Sequence, residues 1–423
     1  MEKRIYPALS EEMYWEKLPN GLTVAIVPRP GFTRKLAYFV TDFGAIHTEF
    51  TLDGKACSVP AGIAHYLEHK LFDMPDRDVM AEFAALGANP NAFTSYDLTA
   101  YHFSCTENFE SCLRLLLEYV TTPWFTEESV QKEQGIIGQE IGMHADNPDA
   151  RSFEELMIGM YRNHPITVPI LGTVESIAQI TPEVLTDCHR AFYRPENMLL
   201  CVVGDVDPEM VCRMAAELVP AVKGTVTRVD TWEETMTCPQ KLTTHTMEVS
   251  MPMFQLGFKS EPLGQGDEAV RGEVVGDLAA EALFGESSAL YLRLYEEGII
   301  DSSFGGGFET SDGMALLIAS GDSEDPQAVR DAILEEAQRL LQEGIPAEDF
   351  LRMKRSALGR RIRDLDSFDG IAFRVCAYFF SQFDYFEFPR IYASVEVKEI
   401  MDFLRKVVTE DRCSLCVINP KEE

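Results

Sequence analysis

The chain has 423 residues, 46% hydrophobic and 25% charged, which is too long for one small core and predicts two globular domains of roughly 200 residues each. Its 37 basic residues stand against 69 acidic ones, a formal charge of -32. Such a surface repels nucleic acid and anionic lipid and favours cationic or neutral partners.

The opening MEKRIYPALSEEMYWEK breaks its apolar residues with charges, so it predicts no secretory signal, and the expected location is cytoplasmic. The segments LPNGLTVAIVPRPG and KLAYFVTDFGAI, separated by Pro and Gly, read as the strands of a hairpin. Residues 59–72 read as a helix, and a second helix starts near Asp76 and stops at the glycine of AALGANP. NAFTSYDLTAYHFSC, rich in aromatic and β-branched residues, predicts two short strands turning around Tyr96 and Asp97. Helices follow around CLRLLLEYV and over 127–143, and NMLLCVVGDV closes the half as a buried strand. No segment approaches the length of a membrane span, so no membrane association is expected. Ten cysteines at irregular spacings suit reduced thiols, and the pair Cys413/Cys416 falls in RCSLCVIN, which reads as a buried strand rather than a redox turn.

The second half repeats the first. FTEESVQKEQGIIGQEI at 125–141 parallels IPAEDFLRMKRSALGRRI at 345–362, LLCVVG at 199–204 parallels SLCVIN at 414–419, and AHYLEHKLF at 64–72 parallels GDLAAEALF at 276–284. Three pairings in the same order predict two copies of one α+β unit.

The chemistry gathers in GIAHYLEHKLF. His65, Glu68 and His69 form H-x-x-E-H, and on a helix positions i and i+4 share a face, so both imidazoles can reach one zinc ion while the glutamate stands beside them. A catalytic zinc needs a third protein ligand and an open position. Glu133, Glu140 and His144 lie on one stripe of the helix QKEQGIIGQEIGMH, and on spacing alone any of them could serve. In the repeat, His65, Glu68, His69, Glu133 and Glu140 are matched by Asp277, Ala280, Glu281, Met353 and Arg360. Groups that one copy of a fold dispenses with are not needed for folding, which moves the first-half set toward function.

The sequence resembles the pitrilysin/insulinase family of inverted-motif zinc metallopeptidases, above all its bacterial two-domain members related to the mitochondrial processing peptidase. The resemblance spans nearly the whole chain and rests on GIAHYLEHKLF, GANPNAFTSYDLTAYHF, KEQGIIGQE, HPITVPILGTVESI and FYRPENMLLCVVGDVD. It implies a Zn2+ cofactor held by His65, His69 and Glu140, with Glu68 as general base and Glu133 as a supporting acid. It implies an α+β fold of two homologous domains, each a mainly antiparallel sheet packed with helices, forming half of a clamshell. The expected boundaries are a zinc-binding domain at 1–220, a linker at 221–240 and a homologous domain without zinc at 241–423.

Residues 89–95 read as an exposed edge strand to which a peptide or unfolded polypeptide could add by main-chain hydrogen bonds, with Asn91, Ala92 and Phe93 as the contacting residues. Self-sufficient members of the family carry an arginine and, seven residues on, a tyrosine in the second half. Tyr295 and Ser302 occupy those two positions here. That departure implies an endopeptidase subunit completed by a homologous partner chain, as a hetero- or homodimer. A non-catalytic assembly subunit of the same fold and a maturation peptidase for one precursor are the alternative readings.

Overall fold

The computed structural model describes residues 1–229 and 232–421. The chain packs into two compact units, each assembled from three stretches. The first comprises Met1–Ile141, Val168–Asp230 and Ile362–Glu387, and the second Gly142–Thr167, Thr231–Arg361 and Phe388–Glu423. Both mix helices with a largely antiparallel sheet, the α+β class expected.

In the first unit the sheet has seven strands, in the order Glu2–Tyr6, Glu11–Lys17, Thr23–Pro28, Met198–Gly204, Lys35–Thr41, Thr99–Cys105 and Asn89–Thr94. Met198–Gly204 is buried at every position, as a continuous apolar run in a central strand should be. It runs parallel to Thr23–Pro28 and antiparallel to Lys35–Thr41. The hairpin expected between those two strands is therefore not formed, because the distant apolar strand inserts between them. Thr23–Pro28 pairs locally with Glu11–Lys17 instead.

Alternation along Lys35–Thr41 divides the faces of this sheet. Ala37 and Phe39 join the core formed with the helices Ile63–Leu71, Phe109–Thr121 and Glu127–Ala145. The other face is covered by a helix from far along the chain, Phe368–Phe380, which packs on Met198–Gly204 and Lys35–Thr41 through Ile371, Ala372, Val375 and Cys376.

The second unit repeats the arrangement with five strands, in the order Leu242–Met247, Cys413–Pro420, Met253–Ser260, Met314–Asp322 and Gly305–Ser311. Its strand Cys413–Pro420 is, like Met198–Gly204, parallel to one neighbour and antiparallel to the other. The helix that packs on it, Pro148–Met160, comes from the first half of the sequence. The approach is close: a Cβ at Gly159 would stand 2.5 Å from Ser414 Oγ. Cys413 and Cys416 are buried on Cys413–Pro420, where a separation of three points them to opposite faces.

The expected linker, 221–240, includes residues 230 and 231, which lie outside the described residues. Within it Val226–Arg228 pairs antiparallel with Glu49–Leu52. Among the described residues no helix is long and apolar enough to cross a membrane.

Candidate metal centre

The helix Ile63–Leu71 starts four residues later than its hydrophobic pattern predicts, because Pro60 and Gly62 stand ahead of it. Gly62 enters at φ +87°, and a Cβ there would stand 2.5 Å from the Leu171 carbonyl oxygen. A side chain is excluded by both the backbone conformation and the space. Ser176 Oγ donates to the Ala61 carbonyl at 2.9 Å, so the loop after Leu171 fixes where the helix begins. Ile63, Ala64, Tyr66, Leu67 and Leu71 are buried in the core, which leaves His65, Glu68 and His69 along one side.

A second helix, Glu127–Ala145, lies alongside. The hydroxyl of fully buried Tyr66 donates to the Val130 carbonyl and ties the two helices together. Glu133 Oε1 then lies 3.0 Å from His69 Nδ1, and one turn pair further on Glu140 meets both histidines. Glu140 Oε1 is 3.6 Å from His65 Nε2, and Glu140 Oε2 is 3.5 Å from His69 Nε2. One ligand atom from each of the three lies within 4.8 Å of the others.

These separations are long for hydrogen bonds but close to the edge of a tetrahedron, about 3.3 Å, that ligand atoms would span at roughly 2.0–2.1 Å from zinc. The donor set fits zinc in its chemistry as well: with Nδ1–H of His69 given to Glu133, the lone pair sits on Nε2, the atom facing Glu140. His144, the remaining candidate on the stripe, pairs with Glu154 at 3.5 Å.

Glu68 is 8% exposed and accepts a hydrogen bond from Thr94 Oγ1 at 2.6 Å. Burial pushes its carboxyl above the usual range, while the Thr94 hydrogen bond and the charge of His69 pull the other way and that of Glu140 adds to the rise. Burial alone would lower the pKa of His69, but the Glu133 hydrogen bond and the surrounding carboxylates outweigh it and raise it.

The strand Asn89–Thr94 is the last of its sheet, so one side of its backbone has no partner strand among the described residues. Asn91 is exposed, and its Oδ1 accepts the Ala92 N–H at 3.0 Å. With Thr94 turned toward Glu68, alternation places the Phe93 ring on the opposite face, where it meets Tyr38, His102 and Phe373. Tyr295 and Ser302 are exposed, the former in the helix Ala289–Glu296, stacked on Tyr291.

In the repeat the matching positions hold an ion pair. Arg360 donates to Glu281 Oε2 at 3.0 Å, and Met353 is buried where the first copy has Glu133. Sequence reasoning passed over Thr94, Gly62 and Ser176. The contact of Thr94 with Glu68 is set by the packing of strand on helix, and its only trace in the sequence is a polar residue two positions beyond Ala92.

The family profile described as "Insulinase (Peptidase family M16)" matches residues 58–174, and that described as "Peptidase M16 inactive domain" matches residues 179–357. An uncharacterized zinc protease of Bacillus subtilis (strain 168), YmfH, is 38% identical over 424 residues, 98% of each chain. The mitochondrial-processing peptidase subunit beta of Caenorhabditis elegans is 29% identical over 203 residues, 47% of this chain and 42% of that protein. Among solved structures, an M16-like peptidase from Alicyclobacillus acidocaldarius superimposes with a TM-score of 0.93 at 31% identity, covering 97% of this chain and 99% of that one. A protease from Helicobacter pylori shares the fold with a TM-score of 0.83 at 18% identity, covering 97% of this chain and 100% of that one.

Proposed function

This chain belongs to the insulinase family of peptidases, M16, and from that premise we propose that it is a zinc-dependent endopeptidase subunit acting on extended peptides. The observation that carries the reading is the approach of one ligand atom each from His65, His69 and Glu140 to within 4.8 Å of one another beside Glu68, with both Nε2 atoms facing the Glu140 carboxylate. Relatives bearing the name zinc protease support the choice of metal. Zinc held there would lower the pKa of a water molecule and polarise the scissile carbonyl.

The chain's own residues do the rest. Glu140 brings a negative charge to two neutral imidazoles, and Glu133 fixes the ring of His69 through Nδ1. Glu68 takes the proton of the attacking water and passes it to the nitrogen of the leaving amine. Its buried carboxyl, raised by desolvation, is better matched to that exchange than a solvated glutamate. The peptide adds to the open side of Asn89–Thr94, where main-chain hydrogen bonds hold it with little regard for side chains. Asn91 and Ala92 lie on that edge.

Tyr295 and Ser302 stand where the resemblance places an arginine and a tyrosine. On that ground a homologous partner chain supplies the groups that stabilise the oxyanion. Hydrolysis of a fluorogenic peptide library, by the purified chain alone and mixed with its homologues, tests both parts. Cleavage is expected to disappear on chelation, to return with zinc, and to fall by about 10²–10⁴-fold in Glu68→Gln without loss of bound metal. Cleavage indifferent to chelation and to Glu68→Gln would overturn the peptidase reading, and full activity of the isolated chain would overturn the partner.

A further inference from the structure

We infer that Thr94 is a positioning residue for the proposed reaction: its hydroxyl locks the Glu68 carboxylate in place and links it to the strand that receives the substrate. This rests on the peptidase reading above and deepens it. Thr94 ends the strand Asn89–Thr94, two residues beyond Ala92, and its Oγ1 lies 2.6 Å from Glu68 Oε2. A carboxylate can only accept, so the single proton of Thr94 goes to Glu68. Thr99 Oγ1 gives its own proton to the Phe43 carbonyl at 2.8 Å and so does not donate to Thr94, and as an acceptor it stands at 3.3 Å, farther from Thr94 than the charged Glu68 Oε2 at 2.6 Å.

The donor is itself immobilised. The turn after Thr94 is closed by Ser95 N–H to the Leu98 carbonyl at 2.8 Å and by Ser95 Oγ to Asp97 Oδ1 at 2.6 Å. It is also clamped to the segment beyond Lys35–Thr41: Ala45 N–H donates to the Ser95 carbonyl at 3.1 Å and Ile46 N–H to the Tyr96 carbonyl at 3.0 Å. A glutamate side chain has three rotatable bonds, and at 8% exposure water gives it little alternative anchorage. With Oε2 held by Thr94, Oε1 is left for the proton of the attacking water. One hydrogen bond thus joins the rail for the substrate to the base, so a peptide seated along Ala92 is registered against Glu68 through a single rigid strand end.

The test compares Thr94→Val, which keeps the shape and β-branching without the donor, with Thr94→Ser, which restores the donor without the branch. Thr94→Ala repeats the first comparison should the valine fold poorly. The expected result for Thr94→Val is a kcat lower by about 10–100-fold, KM within about twofold, and unchanged zinc stoichiometry and chelator resistance. Thr94→Ser should return to within about threefold of the parent. Thr94→Val with parental kcat, or Thr94→Ser as impaired as Thr94→Val, would overturn the inference while leaving the peptidase reading intact. A parent chain without turnover under any condition would overturn that reading and this inference with it.

Discussion

His69 shows how much chemistry one ring can be made to carry. Its Nδ1 is held by Glu133 at 3.0 Å while its Nε2 faces Glu140 at 3.5 Å. On the proposed reading Glu133 would act on a bound metal through the imidazole and not by direct contact. Glu133→Gln is expected to weaken zinc binding by about 10–100-fold, whereas Glu68→Gln should leave it unchanged. Competition with a chelator of known affinity distinguishes the two, and equal losses in both variants would contradict the separation of roles. The H-x-x-E-H pattern is legible in the sequence because helical periodicity is local. Spacing alone does not separate Glu133, Glu140 and His144, which share one stripe; the family resemblance chooses Glu140 as ligand and Glu133 as its support, and tertiary packing brings Glu133 to Nδ1, Glu140 to Nε2 and His144 to Glu154. Thr94 was hidden for the same reason, being 26 residues from the glutamate it contacts.

At the scale of elements, the centre depends on where the helix Ile63–Leu71 begins. Gly62 has no room for a side chain, with a Cβ meeting the Leu171 carbonyl oxygen at 2.5 Å, whereas Gly87, also at positive φ, faces open space. Gly87→Ala should cost only the backbone strain, about 1–2 kcal/mol. Gly62→Ala carries the same strain plus displacement of the Leu171 loop and should cost more than about 3 kcal/mol, with zinc affinity falling as His65 and His69 shift. Denaturant titration with metal analysis checks the contrast, and two variants of equal stability would contradict it. The elements themselves were largely legible, since turn residues and apolar periodicity are written locally. Partnership between strands was not. Thr23–Pro28 and Lys35–Thr41 look like a hairpin until Met198–Gly204, more than 150 residues later, takes the place between them.

For the molecule as a whole, the internal repeat was legible and its interleaving was not. Each sheet is packed by a helix from the opposite half of the sequence, Phe368–Phe380 on the first and Pro148–Met160 on the second, because burial of apolar faces takes no account of chain order. The same burial makes stability depend on pH. His102 and His189 are pushed down to about 4 by desolvation, from an ordinary value of 6.5. Above 6.5 both the folded and unfolded chains are neutral at these rings. As pH falls below 6.5 the unfolded chain takes up the protons first, so the stabilisation declines until pH passes the folded value near 4. Between pH 7 and pH 5 the loss should reach about 2 kcal/mol per histidine. Urea denaturation of His189→Gln should show a smaller pH slope than the parent, and an identical slope would contradict the assignment.

The central claim is that two imidazoles and one carboxylate hold a catalytic zinc. Anomalous diffraction at the zinc edge, on crystals of the chain purified with zinc present, tests it most directly. The account predicts one peak at about 2.0–2.2 Å from His65 Nε2, His69 Nε2 and a Glu140 oxygen; a zinc-replete chain with no density there, or with its zinc bound elsewhere, would contradict it.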